Sequence, residues 1–243
     1  MRRFYVPTRG PEDWKALLAE PDRQWRTGFS AKALAYSWNE ADGFPPCVRA
    51  VFDDSPFPLF HGVEFLLGFP EHKVALPGGL RASQTDLFVL AKSGGELVSV
   101  AVEGKVDESF GDSVDVWLTR RAADEEKQGR EPQPSEGART RLTYLCDLLG
   151  LSEPDASDLP YQLLHRTASA LIEAWRFNAR QALMLVHSFS QADPPSRFDD
   201  YEKFASRLGC VNARSGTLDF VGRRAGLDLY LGWAKGVAKY LTV

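Results

Sequence analysis

Two short apolar runs, residues 85–90 and 97–102, flank the polar break Lys92-Ser93-Gly94-Gly95-Glu96. Strand-rich segments around a Gly-Gly turn predict a β-hairpin. Further strand pieces are expected at 63–67 and 73–76, separated by the breaker Gly68-Phe69-Pro70,. Residues 182–189 are apolar throughout and short, which predicts a buried strand, and 227–234 read as a final one,. Between these lie helical periods. A short piece is expected at 12–18. Ser30 reads as an N-cap for a helix over 31–41, which Gly43 and Pro45-Pro46 stop; a second short helix follows at 47–52,. Residues 138–149 form a helix with Gly150 as its stop, and Pro160 opens a longer one over 161–177,. Leu164, Ala168, Leu171, Ile172 and Trp175 recur on that helix at a spacing that places them toward the core,. Residues 197–208 are amphipathic.

Residues 113–118 fit either period. Residues 120–137 are charged and contain Pro132 and Pro134, which predicts a mobile loop or lid,. No internal repeat and no second hydrophobic core is visible, so residues 1–243 are expected to form a single domain. Strands interleaved with helices predict an α/β fold, a three-layer α/β/α arrangement around a central mixed sheet.

Composition narrows the class. With 44% apolar and 12% aromatic residues the chain can build a substantial core,. The net charge of -4 argues against a protein that coats nucleic acid through overall basicity, although a local basic groove on an acidic molecule is compatible with it,. Cys47, Cys146 and Cys210 are odd in number and widely separated, which suggests neither a disulfide framework nor a zinc site and favours a reducing, cytoplasmic compartment,. Arg2 and Arg3 are not followed by the apolar stretch of a signal peptide, and no run approaches the roughly 20 apolar residues needed to cross a bilayer,.

The candidate chemistry lies on the hairpin. Asp86 interrupts its first strand, and Glu103-Gly104-Lys105 ends its second. Alternate residues of a strand share a face, so Glu103 and Lys105 point the same way, and a carboxylate on the paired strand can join them. Two carboxylates and a lysine can hold a hard divalent cation and steady a phosphate or an attacking water. The plainer reading is an exposed ion pair at a strand end, contributing under ~1 kcal/mol. On the helix over 161–177, Gln162, His165, Arg166 and Ser169 form a polar face at i, i+3, i+4 and i+7,. That face either is solvated or reaches the hairpin carboxylates. Asp107, Glu108 and Asp112 follow the lysine and read chiefly as a polar loop. Arg223-Arg224, Lys235 and Lys239 read as solvated charges.

Asp86, sixteen intervening residues, then Glu103-Gly104-Lys105 resembles the Asp–(Asp/Glu)-x-Lys signature of the PD-(D/E)XK nuclease superfamily, the restriction-endonuclease-like fold. The resemblance spans roughly residues 30–190, with N- and C-terminal additions. It implies Asp86 and Glu103 as metal ligands, Mg2+ or Mn2+ as cofactor, and Lys105 orienting the water and stabilising charge on the phosphoryl group. It also implies a nucleic-acid substrate cut by water attacking phosphorus, and it allows a homodimer. Thr85 stands where the family usually has proline. The extra acidic residue that the family often takes from its first helix would be Glu40, with Glu64 as the other candidate, and Gln162 and Arg166 would brace the site. The alternative is a catalytically silent module of the same fold that binds a protein or nucleic acid.

Overall fold

The computed structural model describes residues 8–243; Arg2 and Arg3 lie outside the described residues. Six strands form one mixed sheet in the order β1-β2-β3-β4-β6-β5. These are β1 (Glu64–Val74), β2 (Ser83–Ser93), β3 (Glu96–Lys105), β4 (Gln181–Ser188), β5 (Leu218–Arg224) and β6 (Leu227–Lys235). The first three are antiparallel neighbours, β3–β4 and β4–β6 pair parallel, and β5 returns antiparallel along β6.

Among the described residues there are eight α-helices: α1 (Pro21–Gln24), α2 (Ser30–Ala41), α3 (Pro46–Asp53), α4 (Val114–Lys127), α5 (Glu136–Leu149), α6 (Glu153–Ala156), α7 (Tyr161–Arg176) and α8 (Phe198–Arg207). Two buried clusters result, one on each face. Trp38, Phe52, Val89, Val100 and Leu185 pack under α2 and α3, while Leu145, Leu164, Leu171, Met184 and Trp233 pack under α5, α7 and α8. The molecule is a three-layer α/β/α fold. Alternation explains the split, because Val100 and Val102 of β3 join the first cluster and Ala101 the second,.

The hairpin forms as expected. Leu87 pairs with Val102 and Lys92 with Leu97, and both Gly94 and Gly95 have positive φ (54° and 95°), the combination a tight two-residue turn with right-handed strand twist requires,. Four expectations need correction. The segments 63–67 and 73–76 are one continuous strand running through Pro70. Proline is tolerated there because β1 lies at the edge of the sheet, where an N–H can go unpaired,. Residues 120–127 continue helix α4 and residues 136–137 open α5, so the irregular part of the expected lid shrinks to 128–135. Ser30 is the first residue of α2 and not its cap. The Glu108 carboxylate instead accepts from the Ser30 backbone N–H (2.8 Å) and also from that of Val106 (2.7 Å). Finally, Trp175 is 46% exposed: the buried set of α7 is Leu163, Leu164, Thr167, Ala168, Ala170, Leu171 and Ala174, and the helix buries its polar face as well. Among the described residues no helix is long and apolar enough to cross a membrane. The three cysteines are free thiols.

One close approach fixes the loop before β2. A Cβ on Gly137 would lie 2.5 Å from the carbonyl oxygen of Gly78. Overpacking of this kind costs typically 1–3 kcal/mol, against a helix-propensity gain of up to ~1 kcal/mol for replacing glycine by alanine. Gly137→Ala is therefore expected to lower stability by about 1–2 kcal/mol in chemical denaturation. An unchanged or raised midpoint would show that the contact relaxes freely.

Candidate active site

The site is built at one end of the sheet, where β1, β2 and β3 meet the N-terminus of α7. Asp86 lies one step beyond the paired Leu87 and Val102, which brings it opposite Glu103. On its other side, Pro70 pairs with Leu87 and His72 with Thr85, so Glu71 lies opposite Asp86. Directly opposed residues share a face, and the three carboxylates form a row across three neighbouring strands. The N-termini of α2 and α7 close that row into a cavity of about 340 Å3, lined by Glu71, Asp86, Glu103, Lys105, Gln162 and Arg166 among others.

Glu103 sits at its centre with 1% of its surface exposed. Lys105 Nζ donates to Glu103 Oε1 (2.6 Å) and to Gln162 Oε1 (3.1 Å), and stands 4.9 Å from the Phe110 ring centroid. Arg166 Nε donates to Glu103 Oε2 (2.6 Å), its second amino group to the Ser83 hydroxyl (3.2 Å), and its third lies 3.9 Å from Asp86 Oδ1. The Gly104 backbone N–H donates to Asp86 Oδ2 (2.8 Å). Lys105 is only 4% exposed, so the surface ion-pair reading does not describe this arrangement. The polar face of α7 is likewise turned onto the sheet: Ser169 donates to Ser83 (2.9 Å), which also lies 2.9 Å from His165 Nδ1.

Electrostatics separates the three carboxyls. Burial opposes charge on Glu103, but the Arg166 guanidinium and the Lys105 ammonium outweigh it and hold this carboxyl below its ordinary value,. Asp86 is pushed up to about 7, first by burial and then by the Glu103 charge, which Arg166, Lys105 and the Gly104 N–H only partly offset. Burial and the neighbouring Asp86 raise Glu71 well above the carboxylate range despite a hydrogen bond from Gln84 (2.8 Å). Like charges directly opposed on neighbouring strands repel. The row relieves this by favouring the proton on Glu71 and on the central Asp86, and by holding both cations on Glu103 at its β3 end.

Of the residues expected at the site, Asp86, Glu103, Lys105, Gln162 and Arg166 converge. Glu40 does not. The cavity lies at the N-terminus of α2, and Glu40 is about 15 Å further along the helix at 1.5 Å per residue, paired with Lys239 (2.6 Å) and Tyr240 (3.0 Å). Glu64 faces Lys92 at the opposite end of β1, about 23 Å from Glu71 at strand rise,. His165 lines a neighbouring cavity. Burial, followed by the Arg166 charge, keeps it neutral, with its pKa well below the ordinary value. Asp107 accepts from Ser196 (2.6 Å) and Asp112 pairs with Arg120 (2.5 Å), so neither joins the row.

Sequence reasoning missed Glu71. Its backbone has φ 52°, a left-handed conformation uncommon for a residue with a side chain,. Only the register of β1 against β2 reveals that it faces Asp86. A second titratable pair, Cys47 and His187, is chemically quiet. The Trp38 indole N–H donates to His187 Nδ1 (3.0 Å), so Nε2 carries the proton and points it at Cys47 Sγ (3.3 Å). Such an imidazole cannot take the thiol proton.

A fold with a mixed sheet and an Asp/Glu/Lys row at one end of it defines the class of α/β proteins with an acidic, lysine-bearing cleft. Residues 7–238 match a family described as a domain of unknown function, DUF6946, and the chain belongs to that family. No curated protein and no solved structure matches it.

Proposed function

We propose that this protein is a metal-dependent nuclease that hydrolyses phosphodiester bonds of DNA or RNA at the Asp86–Glu103–Lys105 site. The observation that carries this reading is the shared cavity. Two carboxylates on adjacent strands face one space with a lysine, and one of them, Asp86, lacks a full complement of positive charge. Oxygen donors of this kind suit Mg2+ or Mn2+. Among the described residues no ready-made cage of three acidic, histidine or cysteine ligands exists. Mg2+ does not need one, because it keeps several waters and takes one or two carboxylates plus substrate phosphate. Asp86 and Glu103 would hold it, with Glu71 beside them.

A divalent ion bound there supplies charge neutralisation at the phosphoryl group and acidifies a bound water. The chain's own residues do the rest. Gln162 and Phe110 fix the Lys105 ammonium, which donates a hydrogen bond toward the attacking water or the developing negative charge,. Arg166 holds the Glu103 carboxylate in place through Oε2, and the Gly104 N–H anchors Asp86.

The second reading, a catalytically silent module binding a protein or nucleic acid, draws on one observation. Both oxygens of Glu103 are already engaged by Lys105 and Arg166, so Arg166 stands where a metal would compensate charge. Calorimetric titration with Mn2+ separates the two. The nuclease reading expects binding that disappears in Glu103→Ala, together with cleavage of single- or double-stranded DNA or RNA. It expects Lys105→Ala to slow that cleavage about 10²- to 10³-fold, as for other single charge-stabilising groups. Wild-type protein that takes up no metal and cuts none of these substrates would leave the binding module.

A further inference from the structure

Lys105, Gln162 and Arg166 form a wall with a cavity on each side. Behind the acidic cleft lies a larger space of about 620 Å3, between the loop 76–82, α4, α5 and the start of α7. Its character is opposite. Six cationic side chains line it against two acidic ones, on a chain whose net charge is -4.

Pairing accounts for most of these charges. Lys105 and Arg166 are bound to Glu103. Arg120 pairs with Asp112 (2.5 Å) and Arg121 with Asp124 (3.8 Å). Two guanidiniums have no carboxylate partner among the described residues. Arg81 is exposed and makes no hydrogen bond or ion pair there. Arg141 is 8% exposed, and its contacts are neutral: it donates to the carbonyls of Pro77 (2.9 Å), Gly79 (3.2 Å) and Leu76 (3.4 Å). The Tyr161 hydroxyl is a further neutral partner. A buried cation held by neutral oxygens is oriented but not neutralised, and such a charge is costly without a counter-ion.

We propose that this cavity is a binding site for a phosphate monoester carried on a nucleoside, whether a mononucleotide or the phosphorylated end of a strand. Two unneutralised guanidiniums match the charge of about -1.5 to -2 that such a group carries at pH 7. Arginine's planar fork suits its oxygens. Phosphate alone would fill a small part of 620 Å3. The rest of the wall includes Leu76, Phe110 and the stacked pair Trp117–Tyr161 (centroids 4.1 Å apart, planes 9° apart), with Arg121 5.7 Å from the Trp117 ring. Aromatic and guanidinium surfaces of this kind accept a nucleobase. The proposal deepens the nuclease reading and rests on it for the nucleotide's role as the neighbour of the scissile phosphate across the Lys105–Gln162–Arg166 wall. Binding of the monoester itself is measurable without catalysis.

The test is calorimetric titration of the whole chain in EDTA with adenosine monophosphate, adenosine, inorganic phosphate, and a short oligonucleotide with and without a 5′-phosphate. Adenosine monophosphate is expected to bind at least about tenfold tighter than adenosine or phosphate, the loss of one charge-assisted contact being worth that much. Arg81→Gln is expected to weaken it about tenfold while leaving the thermal midpoint of the free protein unchanged, since Arg81 holds nothing in the fold. Arg141→Lys, checked for folding by circular dichroism, is expected to weaken it as well. Binding should persist in Asp86→Asn, so a protein that binds the nucleotide and cleaves nothing would overturn the nuclease reading and keep this site. Tighter binding of the phosphorylated oligonucleotide than of its unphosphorylated form assigns the site to a strand end, and preference for the free mononucleotide assigns it to that ligand. Equal affinity for phosphate and adenosine monophosphate would overturn the nucleoside half. Binding indifferent to both arginine substitutions, or no binding, would overturn the whole.

Discussion

Arg166→Met is expected to destabilise the protein by about 3–5 kcal/mol at neutral pH, the range found when one partner of a buried ion pair is removed and the other charge is left behind. The guanidinium is 7% exposed and binds Glu103 Oε2 at 2.6 Å, with the Ser83 hydroxyl completing its set. Without it Glu103 keeps Lys105 alone, and the Asp86 carboxyl loses its closest cation. Urea denaturation measures the effect; a loss under about 1 kcal/mol would mean that water or Lys105 takes over the role and that the cleft is softer than its geometry implies. The pH dependence has a definite sign. Arg166 helps hold the Glu103 carboxyl below its ordinary value, which contributes stability above the unfolded-state pKa that is lost as pH falls through the folded one,. The difference between wild type and Arg166→Met should therefore shrink in acid. The double variant Arg166→Met/Glu103→Gln removes both charges and should recover a large part of the loss, giving a coupling energy that neither single substitution reports.

That buried ion pair shows where sequence reading works and where it stops. The hairpin was legible because a Gly-Gly break between two apolar runs has few other solutions, and it carried Asp86, Glu103 and Lys105 with it. Alternation put Glu103 and Lys105 on one face. Gln162 and Arg166 were legible as a helix face that either is solvated or reaches the hairpin carboxylates, and the packing of α7 on the sheet decides for the second. A polar stripe on a helix reads either way until the sheet beneath is known to present carboxylates. Glu40 and Glu64 were sought at fixed places in the chain, whereas the third carboxylate is Glu71, set by the pairing register of an edge strand. Pro70, beside it, made that strand look interrupted. The strand β5 escaped notice because its alternation is weak, with Phe220 43% exposed and Gly222 in its middle at φ 95°. Registers and edges are long-range properties, and local pattern does not encode them.

Asp86→Asn should separate stability from function. The Asp86 carboxyl has its pKa raised to about 7 from an ordinary 3.8. A raised folded-state pKa means that the native state binds this proton more tightly than the unfolded chain does. The resulting stability is fully present below about pH 4 and is lost as pH rises toward 7. At 1.36 kcal/mol per unit the full effect is of order 4 kcal/mol, an upper figure because Glu71 and Glu103 titrate with it. Asparagine keeps an oxygen for the Gly104 N–H and carries no charge to desolvate. The variant is therefore expected to match wild type near pH 4 and to exceed it by a few kcal/mol at pH 8. Divalent metal should close that gap by stabilising wild type alone, with a larger effect at pH 8 than at pH 5.5, because the cation competes with the proton on Asp86. The same substitution should abolish metal-dependent cleavage. A variant less stable than wild type at pH 8, or equal stabilisation of both proteins by Mg2+, would show that Asp86 is a well-compensated structural carboxylate and would remove the physical basis for placing a cation in this cleft.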